Sequence, residues 1–194
     1  MGKIIISTNV TLDGVVQDPD GKEGTALGGW FRQYVGNDFE AWSRREVEEA
    51  LHADALLVGR RSDAWFASRM ATAWSAEWAA KITSLPKYVV SSTLHHAELT
   101  NATVLRGDIV KEVSEVKRKH AGHILVYGSY QLCRTLIARG LADELRVVVF
   151  PVVLGTGKRL FDDVGTTKPM RLHTSAPLGN ALAFHAYEFL PAAS

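Results

Sequence analysis

One stretch of the sequence, residues 124–139, constrains the fold more than any other. Residues 124–127 (Ile-Leu-Val-Tyr) form an apolar run that is long enough for a buried strand but too short for a helix. The run ends at Gly128 and Ser129, and the apolar residues that follow have the spacing of an amphipathic helix: Leu132, Cys133, Leu136 and Ile137. Gly140 stands where a left-handed C-terminal cap belongs. The sequence therefore predicts a strand that turns through Gly-Ser directly into a helix.

A turn of this kind exposes backbone N–H groups at the positive end of the helix dipole, and such helix N-termini bind anions, most often phosphates. The same pattern also fits an ordinary strand–turn–helix unit that binds nothing. Residues 124–139 alone do not decide between these two interpretations, so the rest of the chain has to be considered.

Length and composition fit one globular domain, residues 1–194, with an ordinary core: 46% of the residues are hydrophobic and 22% are charged. The formal net charge of +1 gives no electrostatic reason to expect nucleic acid or an anionic membrane as a partner. No apolar run reaches the length of a signal peptide or a membrane span, so we expect a cytoplasmic protein. We interpret the single cysteine, Cys133, as a small core residue rather than a reactive thiol.

Apolar and β-branched runs bounded by turn residues predict the strands, which are expected at residues 4–10, 55–58, 87–91, 103–105, 124–127, 144–150, 171–175 and 182–189. Residues 21–37 are rich in glycine and are predicted to form a long loop. Helices are predicted to begin at three capping residues: Asn37 (with Glu40 completing a capping box), Ser75 and Asp108.

Strands that alternate with helices imply parallel pairing with right-handed crossovers, covered on both faces. The last strands follow one another without helices and should add in antiparallel orientation. The predicted fold class is therefore a single-domain α/β protein with a mixed, mainly parallel sheet, helices on both faces and antiparallel C-terminal strands.

Three predicted strands end in turns that suit phosphate oxygens. These turns contain glycines, arginines and hydroxyl residues: Gly59, Arg60, Arg61 and Ser62; Ser91, Ser92 and Thr93; Gly128 and Ser129. In open parallel sheets ligands bind beyond the carboxyl ends of the strands, so the three turns can converge on one site. Each turn alone also fits a solvated surface turn, but their joint placement favours a nucleotide with several phosphates.

Several common motifs are excluded by spacing. The glycines at residues 155 and 157 are followed by neither the third glycine of a Rossmann fingerprint nor the Ser/Thr of a P-loop. Ser129 lacks the flanking glycines of a nucleophile elbow. The histidine pairs 95–96 and 120–123 have poor spacing for a metal site, so we predict none.

Carboxylates and tryptophans supply the remaining candidates for a substrate site. Asp13 follows the first strand, while Asp38 and Glu40 stand at a helix start, and these positions can face a cleft. All five tryptophans lie between Trp30 and residue 78, where they fit the core or a dimer contact but could also form the wall that a planar substrate ring needs.

The ordered set of pieces resembles the dihydrofolate reductase superfamily, and is most similar to the branch that includes the reductase domain of riboflavin biosynthesis and its stand-alone relatives. The matching pieces are residues 11–14, 57–62, 89–93, 126–129, 140–145 and 151–161. No single piece is specific, but together they span roughly residues 3 to 190 in the family's order. The chain departs from the riboflavin reductase pattern at Ser7, where that pattern has a lysine.

The resemblance implies a mixed-sheet fold that binds NADPH. Residues 59–62 would hold phosphates, residues 91–93 the adenosine side with its 2′-phosphate, and Gly128 and Ser129 the pyrophosphate. The remaining cofactor contacts implied are Val10, Leu12, Tyr130, Gln131 and Leu132.

The resemblance also implies a homodimeric NADPH-dependent reductase that transfers hydride to a small heteroaromatic substrate, either pterin-like or pyrimidine-like. Similar enzymes are 5-amino-6-(5-phosphoribosylamino)uracil reductase and dihydrofolate reductase. Asp13 would be the catalytic and substrate-binding carboxylate, with Trp30 and Asp38 as further substrate contacts. The alternative hypothesis is a non-catalytic nucleotide-binding or ligand-sensing protein that retains the fold.

Overall fold

The computed structural model describes residues 1–161 and 167–191. In these residues one eight-stranded sheet has the order β4-β3-β2-β5-β1-β6-β8-β7. Its strands are β1 Lys3–Thr11, β2 Ala53–Gly59, β3 Lys87–Val90, β4 Ala102–Leu105, β5 His123–Tyr127, β6 Glu144–Phe150, β7 Met170–Leu178 and β8 Leu182–Phe189. The apolar residues 152–154, which come directly after Pro151 and could have extended β6, are not in a strand.

Pairing in the sheet is mixed, as predicted. Strand β1 runs parallel to β5 and β6, β2 runs parallel to β3 and β5, and β3 runs parallel to β4. Strands β7 and β8 add in antiparallel orientation beside β6. The predicted fold class is therefore confirmed.

Six α-helices connect or cover the strands in the described residues: α1 Trp30–Val35, α2 Phe39–Leu51, α3 Arg60–Ala67, α4 Ala76–Ser84, α5 Ile109–Lys119 and α6 Tyr130–Ala138. The predicted caps Ser75 and Asp108 are confirmed, because their side-chain oxygens accept hydrogen bonds from the backbone N–H groups of Trp78 and Lys111.

The start of the first helices differs from the prediction. Helix α1 lies inside the predicted loop 21–37, and Asn37 is not an N-cap but part of the short 3-10 turn Gly36–Asp38. Six residues are too few to show a helical repeat in the sequence. Burial of Trp30 and Val35 against the sheet explains why this turn forms nevertheless.

Helices cover both faces of the sheet. We call the side covered by α2 and α4 the front face and the side covered by α5 and α6 the back face. Alternate residues of β1 separate accordingly, since Ile5 packs with the front core, and Ile4 and Ile6 pack with the back core. Along α2, Trp42 and Ala50 are buried, whereas the apolar side chains of Phe39 and Leu51 are exposed.

In the part of the chain that the structure describes, no helix is long and apolar enough to cross a membrane.

Candidate cofactor and substrate site

The three turns predicted to bind phosphate lie next to one another. They follow β3, β2 and β5, which are adjacent parallel strands in the order β3-β2-β5. Because parallel strands end at the same edge of a sheet, their turns form one continuous surface.

Ser129 joins two of the turns. Its Oγ accepts a hydrogen bond from the backbone N–H of Gly59 at 2.9 Å and donates one to Ser62 Oγ at 2.7 Å. Both Gly128 and Ser129 have a φ of 56°, in the left-handed region that a residue with a side chain rarely adopts. The two hydrogen bonds of the Ser129 hydroxyl thus stabilise an unfavourable backbone conformation at the point where the chain enters α6.

The N-terminus of α6 presents backbone donors at this surface. The first helical bond that we observe is from the N–H of Cys133 to the carbonyl of Ser129. The N–H groups of residues 130–132 precede it and have no acceptor within the helix. Tyr130 is half-buried, Gln131 is exposed, and the Leu132 side chain lies in the back core, so Leu132 can contribute to a ligand mainly through its backbone.

The third turn contributes side-chain hydroxyls and lies beside an arginine. Ser91 Oγ accepts hydrogen bonds from the N–H groups of Thr93 and Leu94 at 3.3 and 3.0 Å, which fixes the turn. The guanidinium of Arg60 reaches Thr93 Oγ1 at 3.4 Å. Arg60, Arg61, Ser92 and Thr93 are all exposed. We call residues 59–62, 91–93 and 128–132 together the cradle.

Asp13 is hydrogen-bonded to the loop that contains Leu154 and Gly155. Its carboxylate accepts hydrogen bonds from Thr11 Oγ1 at 2.7 Å and from the backbone N–H groups of Gly155 and Leu154 at 2.9 and 3.2 Å. Desolvation would raise the pKa of Asp13, but these hydrogen bonds outweigh it and lower the pKa to about 2. Asp13 is therefore ionised near neutral pH, where it can accept hydrogen bonds but holds no proton to give.

Asp38 stabilises the turn of the hairpin between β7 and β8 through hydrogen bonds. It is buried, and its carboxylate accepts hydrogen bonds from the backbone N–H groups of Asn180 and Ala181 at 2.8 and 2.7 Å. These bonds lower the pKa of Asp38. Its acceptor sites are thus largely occupied by the hairpin rather than directed at a cleft.

Trp30 lies in the core, where only 1% of its surface is exposed. Its indole N–H donates to the carbonyl of Gln17 at 2.9 Å, and its ring packs edge-on against Phe150 at 5.2 Å. In this structure the ring is out of reach of a ligand.

Val10 and Leu12 lie at the carboxyl end of β1 and line a cavity of about 360 Å³ on the back face. The cavity is mainly apolar. Other residues that line it come from β6 and β8 and from the segment before residue 162: Val147, Val149, His185, Tyr187, Leu160 and Phe161.

The front face contains a row of polar residues that the sequence interpretation missed. Tyr127, Ser7 and Arg146 lie side by side on β5, β1 and β6. Arg146 forms a 2.8 Å ion pair with Glu49 of α2, and Ser7 is buried. The signal available in the sequence was a polar residue beside an apolar run in each of three strands, but the register that aligns the three residues became visible only in the fold.

Among the described residues, no group of three or more His, Cys, Asp or Glu side chains could hold a metal ion.

Comparison with known proteins places the chain in a family. The model of the RibD C-terminal domain matches residues 2–184. The chain belongs to this family. It is 32% identical over 166 residues to the uncharacterized protein YyaP of Bacillus subtilis (strain 168). This alignment covers 84% of the chain and 81% of YyaP.

Solved structures share the fold at lower identity. A protein from Shewanella sp. PV-4 that is assigned to riboflavin biosynthesis has a TM-score of 0.72 at 20% identity, covering 97% of this chain and 99% of that one. RibD of Acinetobacter baumannii has a TM-score of 0.66 at 13% identity. The match covers 98% of this chain but 59% of RibD, so the chain corresponds to little more than half of that protein.

Proposed function

We propose that this protein is an NADPH-dependent reductase that transfers hydride to a small heteroaromatic substrate, pterin-like or pyrimidine-like. The observation that carries the proposal is the cradle, in which Ser129 joins two strand ends beside an open helix N-terminus. Membership of the RibD C-terminal domain family, a reductase-like family, supports it.

The donors in the cradle fit the charges of NADPH. The exposed side chains of Arg60, Arg61, Ser92 and Thr93 would hold the 2′-phosphate, because arginine and hydroxyl groups bind phosphate oxygens through charge-assisted hydrogen bonds. The N–H groups at the start of α6 would hold the pyrophosphate. The nicotinamide end would then extend towards the carboxyl end of β1, near Val10 and Leu12.

When bound, NADPH supplies the hydride, and the residues of the chain position the reactants and exclude water. We assign Asp13 a positioning role in this reaction. Its carboxylate fixes the loop that contains Leu154 and Gly155, next to the end of β1. Because the pKa of Asp13 is about 2, the proton that accompanies the hydride comes from another group or from water.

We also propose that the protein acts as a homodimer. In the described residues β7 is an edge strand of nine residues, most of them exposed, and it includes Leu172, 53% of whose surface is exposed. A long exposed edge is a template for pairing with another chain. Light scattering tests this directly, since a monomer at micromolar concentration would contradict it.

A ligand-sensing protein that binds a nucleotide without turnover is the second candidate, favoured by the occupied carboxylates of Asp13 and Asp38. Titration of NADPH and NADH followed by fluorescence tests the cofactor, and absence of binding to either one would refute the proposal. NADPH oxidation with a panel of pterins, folates and ribitylated pyrimidines then separates the reductase from the sensor.

A further inference from the structure

The cavity of about 360 Å³ on the back face has a size that suits a small molecule. Small-molecule sites have volumes of roughly 300–1,000 Å³. Protein interiors leave few voids larger than a water molecule, so the packing of the chain itself does not account for a space of this size. The mouth of the cavity reaches solvent, because Leu12 and Phe161, which line it, are 66% and 52% exposed.

The walls of the cavity are apolar and uncharged. Its deepest lining residues, Leu145 and Val147 of β6 and Leu160, are buried aliphatic side chains. None of the described residues that line the cavity is a lysine, arginine, aspartate or glutamate.

Three charged residues that flank the lining in sequence are occupied elsewhere. Asp13 and Arg159 form an ion pair with each other at 3.5 Å. Arg146 belongs to the front face, where it pairs with Glu49 at 2.8 Å. An ionised group on a ligand would therefore be buried in this cavity without a partner, which is strongly unfavourable.

Two aromatic side chains of β8, His185 and Tyr187, supply the polar part of the wall. Their rings lie 6.2 Å apart between centroids. In the described part of the chain, the Nδ1 atom of His185 is buried and has no hydrogen-bond partner. Because no hydrogen bond at Nδ1 is lost when the imidazole turns about its Cβ–Cγ bond, the ring can offer this nitrogen to a ligand. The remaining polar side chain, Thr11, is already bonded to Asp13 and to the N–H of Val15.

The cavity also adjoins the cradle. Strand β1, whose carboxyl end borders the cavity, lies beside β5, whose carboxyl end leads into α6. Val10 and Leu132 belong to one hydrophobic core on the back face, the face that α6 covers. A cofactor with its pyrophosphate at the N-terminus of α6 and its nicotinamide at the end of β1 would therefore face the cavity.

We propose that this cavity is the substrate site, and that it takes an uncharged heteroaromatic ring system without a phosphate or carboxylate group, bonded to His185. The inference rests on the proposed function for the reaction of this ring, but not for its binding. It differs from what the resemblance alone implies. The substrate of 5-amino-6-(5-phosphoribosylamino)uracil reductase carries a phosphate, for which the described lining of this cavity offers no cation.

Quinoxaline and quinoxaline-2-carboxylate test the proposal, because they share two fused rings with ring nitrogens and differ in one ionised group. Calorimetry on the full chain is expected to show quinoxaline binding at least about tenfold more tightly, since the carboxylate would be buried without a cation. Binding of neither probe, or equal or tighter binding of the carboxylate, would overturn the inference.

Phe161→Arg tests whether the probes bind in the cavity. It places a guanidinium at the mouth and should raise the affinity for the carboxylate about tenfold or more, because arginine pairs with carboxylates. Val110→Arg is the matched control, since Val110 is an exposed apolar residue of α5 that does not line the cavity. The control should keep the wild-type preference. An unchanged preference in Phe161→Arg, or the same change in both variants, would contradict the proposal.

His185→Phe tests the polar contact, because it keeps an aromatic ring but removes the imidazole nitrogens. It should weaken quinoxaline binding about 3- to 10-fold. Since Nδ1 has no partner among the described residues, the substitution should not lower the free energy of unfolding. A purely structural His185 would give the opposite result, a less stable protein that binds quinoxaline as the wild type does, and this would contradict the proposal.

A separate titration with NADPH distinguishes this inference from the proposed function. If NADPH does not bind but the probe preference and its change in Phe161→Arg are observed, the proposed function is refuted and the site stands. If NADPH binds but the wild type does not distinguish the two probes, the site is refuted and the cofactor assignment stands.

Discussion

The hydroxyl of Ser129 provides the sharpest test of how the cradle is held, because two substitutions there separate hydrogen bonding from backbone strain. Ser129→Ala loses the bonds to Gly59 and Ser62 but keeps a Cβ at a φ of 56°. At about 1 kcal/mol for each bond, Ser129→Ala should be about 2 kcal/mol less stable than the wild type. Ser129→Gly loses the same bonds but relieves the left-handed strain, which is about 1 kcal/mol.

The glycine variant should therefore be more stable than the alanine variant by roughly 1 kcal/mol, although it removes more atoms. Urea denaturation followed by tryptophan fluorescence measures both free energies of unfolding. Ser43→Ala is the control, because the Ser43 hydroxyl only donates to the backbone carbonyl of Glu40 in the same helix, so its loss should change the free energy of unfolding by no more than about 0.5 kcal/mol. An alanine variant as stable as the glycine variant would refute the reasoning. Both variants should also bind NADPH more weakly, because Gly59 and α6 are no longer tied together.

Three further predictions concern the same site and its surroundings. Arg60→Ala and Ser92→Ala should weaken NADPH about tenfold or more but change NADH little, because only NADPH has the 2′-phosphate; equal losses in calorimetry would contradict the assignment. The lowered pKa of Asp13 stabilises the fold above pH 3.8, and this contribution is lost as the pH falls towards 2. The Asp13→Asn variant should therefore show a smaller fall in unfolding free energy over that range, and identical pH curves would argue against a stabilising carboxylate. Asp38→Ala should lower the denaturation midpoint, because the β7–β8 hairpin loses its hydrogen bonds to the carboxylate, but it should leave NADPH affinity unchanged. A loss of binding without a loss of stability would instead indicate that Asp38 contacts a ligand.

Much of the architecture could be predicted because short apolar runs and their turns are local signals. Strands β6 and β8 begin and end where the sequence predicted, and the caps Ser75 and Asp108 are in place. The convergence of the three turns also follows from simple rules, since parallel strands end at one edge. What the sequence could not predict there is that the Ser129 hydroxyl reaches back to Gly59, which depends on a left-handed backbone at a residue other than glycine.

The carboxylates were harder to predict because their partners are remote in sequence. Asp38 binds residues 180 and 181, and Asp13 binds residues 154 and 155, so neither partner is visible from local spacing. Trp30 was predicted to contact the substrate from a glycine-rich loop, but its ring packs against Phe150 in the core.

The structure of the protein in complex with NADPH tests the central claim most directly. We predict the pyrophosphate at the N–H groups that follow Gly128 and Ser129, and the 2′-phosphate between Arg60 and Ser92. The nicotinamide should point towards the carboxyl end of β1, near Val10 and Leu12. A cofactor bound away from the Ser129 turn, or a 2′-phosphate without contact to Arg60 or Ser92, would contradict the account.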